Sequence, residues 1–315
     1  MINFADRLNA AIQEKNNPTV LGLDPHLEYL PDDLKVGAAA SAEVPQSSAL
    51  ALTLFNQRLI DALYDLIPAV KLQAACYEQY GPGGLDAMRW TIDYARSKGL
   101  IVIVDGKRND IGSTAAAYAR AYLGTSSQID GSRQSAFPAD ALTVNGYPGH
   151  DGVAPFAETC RSEGKGIFIL VRTSNPSAGD LQDLRLEDGR RVYEAMADLV
   201  SSWGREHIGQ CGYSSVGAVV GATWPQQAIR LRQRMPNAWI LIPGYGAQGG
   251  TADDAVCAFG PDNSGGLVNA SRSLMLAWQR QAMDHDLFDL AARREALDMR
   301  QALRTALDRR RVSPV

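Results

Sequence analysis

The sequence contains little cysteine and no cysteine motif. Its four cysteines (Cys76, Cys160, Cys211 and Cys257) are scattered among 315 residues, and no two of them form a C-x-x-C pair. This spacing suggests neither a disulfide framework nor a zinc site. Isolated free thiols are typical of a reducing compartment, so we expect a cytoplasmic protein.

The sequence also lacks a long apolar run. No segment approaches the ~20 apolar residues that a membrane-spanning helix needs. Residues 1–17 are too polar for a secretory signal, and Phe4, Leu8 and Ile12 predict an amphipathic helix there. We therefore expect no membrane partner.

The sequence also has no excess of basic residues and only four histidines. The 31 basic and 35 acidic residues give a formal net charge of −4, which argues against a nucleic-acid-binding protein but allows a local cationic pocket. The four histidines are dispersed. We expect His26 and His150 to be exposed polar residues, and we predict no metal site.

Eight short apolar segments alternate with helical segments along the chain. This alternation, with no obvious linker, predicts an α/β fold: one (β/α)8 TIM barrel over residues 1–315, rather than two doubly wound domains. Two polar insertions near 31–49 and 125–138 are predicted to be loops. The predicted strands are residues 19–23, 69–73, 101–105, 141–145, 166–171, 216–220, 239–242 and 266–269.

The third predicted strand ends in a cluster of charged residues. Four apolar residues at 101–104 lead directly into Asp105, Lys107, Arg108 and Asp110. Alternation along an extended chain places Asp105 and Lys107 on the same side. The carboxyl ends of barrel strands hold the active sites of such enzymes, although a charged loop that caps the strand is the alternative.

Two further charged residues belong to the first two strands: Asp24 comes just past the first, and Lys71 lies within the second, near its carboxyl end. In a barrel they would meet Asp105 and Lys107 at one mouth. A purely structural ion network is possible, but desolvation offsets most of its attraction, which favours a use in catalysis. A lysine in this setting could form a Schiff base, or flanking carboxylates could keep it charged as a proton donor.

The opposite side of the predicted mouth has features of a phosphate site. A glycine-rich segment at 243–250 follows strand seven, and Arg272 follows strand eight. The loops after these two strands often bind phosphate in this barrel class. A simple tight turn is the alternative for the glycines.

At these residues the sequence resembles the orotidine 5′-phosphate decarboxylase family. The central motif is Asp105-x-Lys107-x-x-Asp110-Ile111-x-x-Thr114, and matching segments lie in family order along nearly the whole chain. The polar pair Arg108-Asn109 departs from shorter relatives, which carry small or apolar residues there. The other matching segments are 21–25, 70–71, 141–147, 172–176 and 243–250, together with Arg272.

The resemblance implies conversion of orotidine monophosphate to UMP and CO2 without a cofactor. Lys107 would protonate C6 of the pyrimidine, and Asp105 would lie beside the substrate carboxylate and keep Lys107 charged. Lys71 would bridge Asp105 and a ribose hydroxyl. Asp110 and Thr114 would reach the neighbouring site of a homodimer, with Asp110 among the catalytic residues.

The resemblance also assigns the substrate-binding residues. Asp24 would bind the ribose, Ser174 and Pro243 would contact the pyrimidine, and Gln248 and Arg272 would bind the phosphate. A magnesium-dependent sugar-phosphate decarboxylase shares the central motif, but Ser174 and Gln248 favour the pyrimidine enzyme. A silent nucleotide-binding barrel is the non-enzyme alternative, and it would have no need of Lys107.

Overall fold

Eight parallel strands form a closed barrel, which confirms the predicted fold class. The computed structural model describes residues 1–43 and 46–312. The neighbours around the barrel run β1-β8-β7-β6-β5-β4-β3-β2, so the first and last strands pair and close it. The strands are β1 (Thr19–Leu23), β2 (Ala69–Gln73), β3 (Ile101–Arg108), β4 (Ala141–Val144), β5 (Gly166–Arg172), β6 (Ser214–Val220), β7 (Ala238–Ile242) and β8 (Gly266–Ala270).

Helices alternate with these strands and surround the barrel. Because βαβ crossovers cover both faces of a parallel sheet, the strands are almost wholly buried, as their apolar runs predicted. The helices are α1 (Phe4–Lys15), α2 (Asp32–Ser41), α3 (Gln46–Leu63), α4 (Ala74–Glu78), α5 (Gly81–Ser97), α6 (Gly112–Leu123), α7 (His150–Glu163), α8 (Gly179–Gln182), α9 (Val192–Gly204), α10 (Pro225–Arg234), α11 (Ala252–Val256), α12 (Arg272–Met275), α13 (Ala277–Arg280) and α14 (Phe288–Val312).

Helix α1 closes the amino-terminal end of the barrel. Asn3 caps it by accepting a hydrogen bond from the Ala5 N–H at 2.8 Å. Its buried Phe4 packs edge-on against Phe168 of β5, with ring centroids 6.1 Å apart. The side chains inside the barrel form a packed core with α1, so the opposite end carries the open mouth.

The predicted loop at 31–49 is wrong for most of its length. Helix α2 begins directly after Pro31, where Asp32 and Asp33 lie in the first turn and favour the positive end of the helix dipole. Helix α3 already starts at Gln46. Residues 44 and 45 of the predicted loop lie outside the described residues.

The other predicted loop also contains regular structure. The insertion at 125–138 contains a small antiparallel hairpin, Ser126–Ser127 with Arg133–Gln134. Elsewhere, the glycine-rich residues 81–84 form the first turn of α5, where Pro82 occupies a position that tolerates proline. The end of the described chain is divided among α12, α13, a 3-10 turn and α14.

Candidate active site

The carboxyl ends of the strands surround one cavity of about 690 Å³. Eight of the ten predicted site residues line it, from both sides of the mouth. Other lining residues include His26, Gln73, Cys76, Thr143 and Asn269, which the sequence did not single out as site residues. The eight predicted residues are Asp24, Lys71, Asp105, Lys107, Ser174, Pro243, Gln248 and Arg272.

Lys71 is the buried cation of this cavity. It lies on β2 with its side chain only 3% exposed, and its Nζ is 3.4 Å from Asp24 Oδ1 and 3.1 Å from Asp105 Oδ2. Burial lowers the pKa of Lys71, but the charges of Asp24 and Asp105 act more strongly together and raise it above the ordinary value. Lys71 is therefore held as a cation between two carboxylates.

Asp105 is the centre of the charge network. Lys107 Nζ donates to Oδ1 at 2.7 Å, as does the Thr143 hydroxyl at 2.8 Å. Gln73 donates to Oδ2 at 3.2 Å, beside Lys71. Burial raises the pKa of Asp105, but the nearby Lys71 and Lys107 and these hydrogen bonds outweigh it and lower the pKa far below its usual range. Asp105 is thus an anion at neutral pH.

Lys107 projects from the network into the cavity, with its side chain 45% exposed. Its pairing with Asp105 confirms that the two side chains lie on one side of the chain. A lysine with one N–H bond to a carboxylate has further N–H groups free to donate. The geometry provides a positioned ammonium group at the open side of the cavity.

The backbone at Lys107 is unusual. Its φ is +47°, a left-handed conformation that costs about 1–2 kcal/mol for a residue with a side chain. The pairing of β3 with β4 shifts between Val104 and Arg108, so β3 bulges at the point where Lys107 lies. The Lys107 N–H donates to the Thr143 hydroxyl at 2.9 Å, which ties the bulge to β4.

Ser174 and Pro243 line the cavity across from the charge network. Ser174 follows β5, and the preceding Thr173 is fixed by its neighbours: Gln182 accepts from its N–H at 3.1 Å, and Trp224 donates to its carbonyl at 2.9 Å. The fully buried Arg172 lies over the Trp224 ring at 4.2 Å. Sequence reasoning assigned no role to Arg172, since its burial depends on residues distant in sequence.

The glycine-rich segment after β7 is both a tight turn and a wall of the cavity. Gly246 has φ +70°, and its N–H donates to the Gly250 carbonyl at 2.8 Å. Gln248 is exposed on this turn and faces the cavity. The turn interpretation and the binding-loop interpretation are therefore compatible.

Arg272 is the exposed cation of this side. It is the first residue of α12, directly after β8, and lines the cavity. Within residues 1–43 and 46–312, its guanidinium forms no ion pair. A cation without a protein partner at a cavity wall is suited to an anionic ligand.

Asp110 and Thr114 do not line this chain's own cavity. Both are exposed, and the Asp110 carboxylate accepts a hydrogen bond from the Ile111 N–H at 2.7 Å. Ile111 between them is 58% exposed, which is high for a large apolar residue. The structure thus separates these two residues from the other eight.

One histidine prediction is wrong. His150 is exposed as expected, but His26 is only partly exposed and lines the cavity, with its ring edge-on to Tyr29 at 5.0 Å. His26 Nε2 is 3.9 Å from the sulfur of Cys76. Burial, assisted by the charge of Asp24, raises the pKa of the Cys76 thiol to about 11, so this pair does not form a thiolate nucleophile at neutral pH.

The described residues contain neither a candidate metal cluster nor a candidate membrane-spanning helix. In the part of the chain that the structure describes, no group of three or more His, Cys, Asp and Glu side chains could hold a metal ion. Across the same residues, no helix combines the length and the apolar character needed to span a bilayer.

Fold and site together define a (β/α)8-barrel enzyme whose lysine–aspartate network lies at the ends of its first three strands. The family model described as "Orotidine 5′-phosphate decarboxylase / HUMPS family" matches residues 47–282. The chain therefore belongs to this family, and the prediction of a carboxy-lyase related to orotidine 5′-phosphate decarboxylases is confirmed.

Individual relatives align with nearly the whole chain. An orotidine 5′-phosphate decarboxylase of Rhodopirellula baltica is 46% identical over 308 residues, which cover 96% of this chain and 100% of that protein. The enzyme of the same name from Caldicellulosiruptor bescii is 40% identical, with 98% and 100% coverage. The solved OMP decarboxylase of Leishmania donovani is 29% identical and aligns over 98% of this chain and 100% of its own, with a TM-score of 0.75.

Proposed function

We propose that this enzyme converts orotidine monophosphate to UMP and CO2 in pyrimidine biosynthesis, with Lys107 as the proton donor. The observation that carries this proposal is the half-exposed Lys107 ammonium, 2.7 Å from the Asp105 carboxylate, in a cavity with Arg272 on its other side. A ligand with a reacting carboxylate and a distant phosphate matches these two cationic positions.

The reaction would proceed by loss of CO2 at C6 of the pyrimidine. The bond between C6 and the carboxylate carbon breaks, its electron pair stays on C6, and Lys107 supplies the proton that forms the new C–H bond. Solvent then restores the lysine proton. A fixed ammonium group beside C6 stabilises the developing negative charge, because it is already oriented before the reaction begins.

The two carboxylates and Lys71 would hold this arrangement in place. Asp105 accepts from both lysines, so it keeps Lys107 charged and aimed at the reacting carbon. Lys71 and Asp24 face the same cavity and would bind ribose hydroxyls. Ser174 and Pro243 would contact the pyrimidine, and Gln248 and Arg272 would bind the phosphate.

The proposal also includes a homodimer. Asp110 and Thr114 are exposed and lie outside their own cavity, as residues that serve a neighbouring site would be. The exposed Ile111 gives that surface an apolar residue to bury. Asp110 would thus act as a catalytic residue in the partner's site.

Mixing two inactive variants tests the shared site. Lys107→Ala and Asp110→Ala would each abolish turnover alone, but a hybrid dimer would contain one site with both residues intact. Random exchange of equal amounts makes half of the dimers hybrids with one working site in two, so about a quarter of wild-type activity is expected. No recovery after verified subunit exchange would refute the shared site.

The proposed cytoplasmic location is supported by the cysteines. All four are free thiols, and Cys76 and Cys160 are buried. Structural disulfides are uncommon in the reducing cytosol, so this pattern fits that compartment.

The first test of the reaction is the loss of orotidine monophosphate absorbance with purified protein in excess EDTA. Conversion to UMP under these conditions supports substrate, reaction and metal independence together. UMP binding without conversion would refute the enzymatic proposal and favour a silent nucleotide-binding barrel. Neither conversion nor binding would refute the substrate, and magnesium-dependent sugar-phosphate reactions would be tested next.

A further inference from the structure

Arg108 makes an unusual set of contacts directly behind the proposed catalytic lysine. Its Nη1 donates to the Gly106 carbonyl at 2.9 Å, and Gly106 is the residue between Asp105 and Lys107. Its Nη2 donates to the Tyr122 hydroxyl at 3.0 Å and pairs with Glu78. One guanidinium therefore bridges three separate acceptors.

Two of these acceptors, Glu78 and Tyr122, belong to helices outside β3. Glu78 ends α4, which directly follows the strand that carries Lys71. Tyr122 lies on α6, and its ring stacks on Phe137 at a centroid distance of 5.3 Å. Phe137 belongs to the inserted 125–138 segment, so that insertion supports the same cluster.

Arg108 contacts the segment 105–107, whose backbone conformation must be stabilised by the surrounding structure. Lys107 has a left-handed backbone, and the β3–β4 pairing is interrupted between Val104 and Arg108. A conformation of this kind persists only when its surroundings determine it strongly. The Thr143 hydroxyl holds the segment from the β4 side through the Lys107 N–H, and Arg108 holds it from the side of α4 and α6.

We propose that Arg108 is a positioning residue that keeps the backbone of residues 105–107 in the conformation that places Lys107 Nζ on Asp105. The inference rests on the proposed function, because it assigns Arg108 a role through Lys107. Arg108 does not line this chain's cavity, so it would contact neither a substrate bound there nor its reacting atoms. It would therefore affect the rate of the chemical step much more than ligand binding.

Arg7 of α1 offers a matched control, because it supports the same strand β3 through Asp140. It donates twice to Asp140, and Asp140 accepts from the Val102 N–H at 3.0 Å, near the amino-terminal end of β3. Both arginines thus anchor β3, but only Arg108 does so beside Lys107. Arg7→Ala separates a loss of strand stability from a loss of lysine position.

The experiment measures kcat, KM and UMP affinity for Arg108→Ala and Arg7→Ala, per binding-competent site. We expect Arg108→Ala to lower kcat about 10- to 100-fold, since a displacement of ~1 Å in a catalytic group can cost 10²-fold, while UMP affinity changes less than about threefold. Added guanidinium ion should restore part of the rate. Arg7→Ala should lower the unfolding temperature and leave kcat near wild type.

Two milder variants keep the proposal testable if Arg108→Ala fails to fold. Arg108→Lys keeps the charge but cannot bridge all three acceptors, and Glu78→Gln weakens one of them. We expect intermediate kcat values for both. Wild-type kcat in every folded Arg108 and Glu78 variant would overturn the positioning role. Wild-type turnover by Lys107→Ala would instead overturn the proposed function, so the two failures are distinguishable.

Discussion

The two sides of the cavity differ in whether their charged side chains are already paired within the protein. On the side of β1 to β3, Asp24, Lys71, Asp105 and Lys107 are already paired with one another at distances of 2.7 to 3.4 Å. On the side of β7 and β8, Gln248 and Arg272 are exposed, and among the described residues Arg272 has no ion-pair partner. One side is complete without a ligand, whereas the other presents a cation to the cavity.

This difference separates the two tasks of the proposed reaction. A fixed charge network requires no reorganisation during the chemical step, which is where preorganisation lowers a barrier. An exposed arginine is well suited to binding, because a ligand phosphate can supply its missing partner. Substitutions of Asp105 and Lys107 should therefore mainly change turnover, and those of Gln248 and Arg272 should mainly change affinity.

The largest expected effect is that of Lys107→Ala. We expect kcat to fall about 10⁴-fold, because both the proton donor and its charge are lost. UMP affinity, measured by calorimetry, should change by less than about tenfold, since the phosphate side is untouched. Lys98→Ala is the control, because Lys98 pairs with Asp61 on the surface. Turnover near the wild-type rate would exclude Lys107 as the proton donor.

The next effect is on stability and comes from Asp105→Asn. Removing one partner of a buried ion pair typically costs 3–5 kcal/mol, and because Lys71 keeps Asp24, we expect about 3 kcal/mol less free energy of unfolding in urea. The control is Asp65→Asn, which breaks the more exposed Arg293–Asp65 pair and should cost about 1 kcal/mol or less. Equal losses in the two variants would contradict a special role for the buried network.

The lowered pKa of Asp105 predicts that the stability difference between wild type and this variant depends on pH. The pKa of Asp105 is lowered in the folded protein, where Lys71 and Lys107 outweigh the effect of burial. Its contribution to stability is therefore fully present above the unfolded pKa of about 3.9 and is lost as the pH falls through the folded value. The stability difference between wild type and Asp105→Asn should be constant from about pH 5 to about pH 8 and shrink below about pH 4. A difference that already shrinks at neutral pH would contradict the lowered pKa.

The smallest of these effects is expected for Arg272→Ala. Loss of a charge-assisted hydrogen bond of about 1.5–3 kcal/mol should weaken UMP binding about 10- to 100-fold. Uridine, which lacks the phosphate, should bind both proteins equally, and the exposed Arg294 on α14 provides a control substitution. Unchanged UMP affinity would show that the phosphate binds elsewhere.

Much of the barrel could be predicted from local patterns. Its strands are short apolar segments, and each was found within a few residues of its structural bounds, because a strand buried on both faces leaves a clear signal. The helix α2 was missed, since its Ala- and Asp-rich sequence has little apolar periodicity. Its amino-terminal signals, Pro31 followed by two aspartates, were present but were interpreted as loop composition.

The site was predictable where function follows from chain position. Residues at or just past the carboxyl end of a barrel strand face the mouth, so the sequence alone placed Asp24, Lys71 and Lys107 there. The supports around them could not. Gln73, Thr143 and Glu78 act through contacts with residues at least 30 positions away in sequence, and no local pattern marks such pairs.

The closure of the barrel has a consequence for the synthesis of the enzyme. Strand β1 pairs with β8, with Leu21 opposite Ala270, so the cavity wall joins residues that are far apart in sequence. A nascent chain on the ribosome can assemble the lysine–aspartate network only against an incomplete sheet until β8 emerges. Contacts this distant in sequence also slow folding. The enzyme should therefore become active only after β8 has been synthesised, and its early strands depend on protection against aggregation until then.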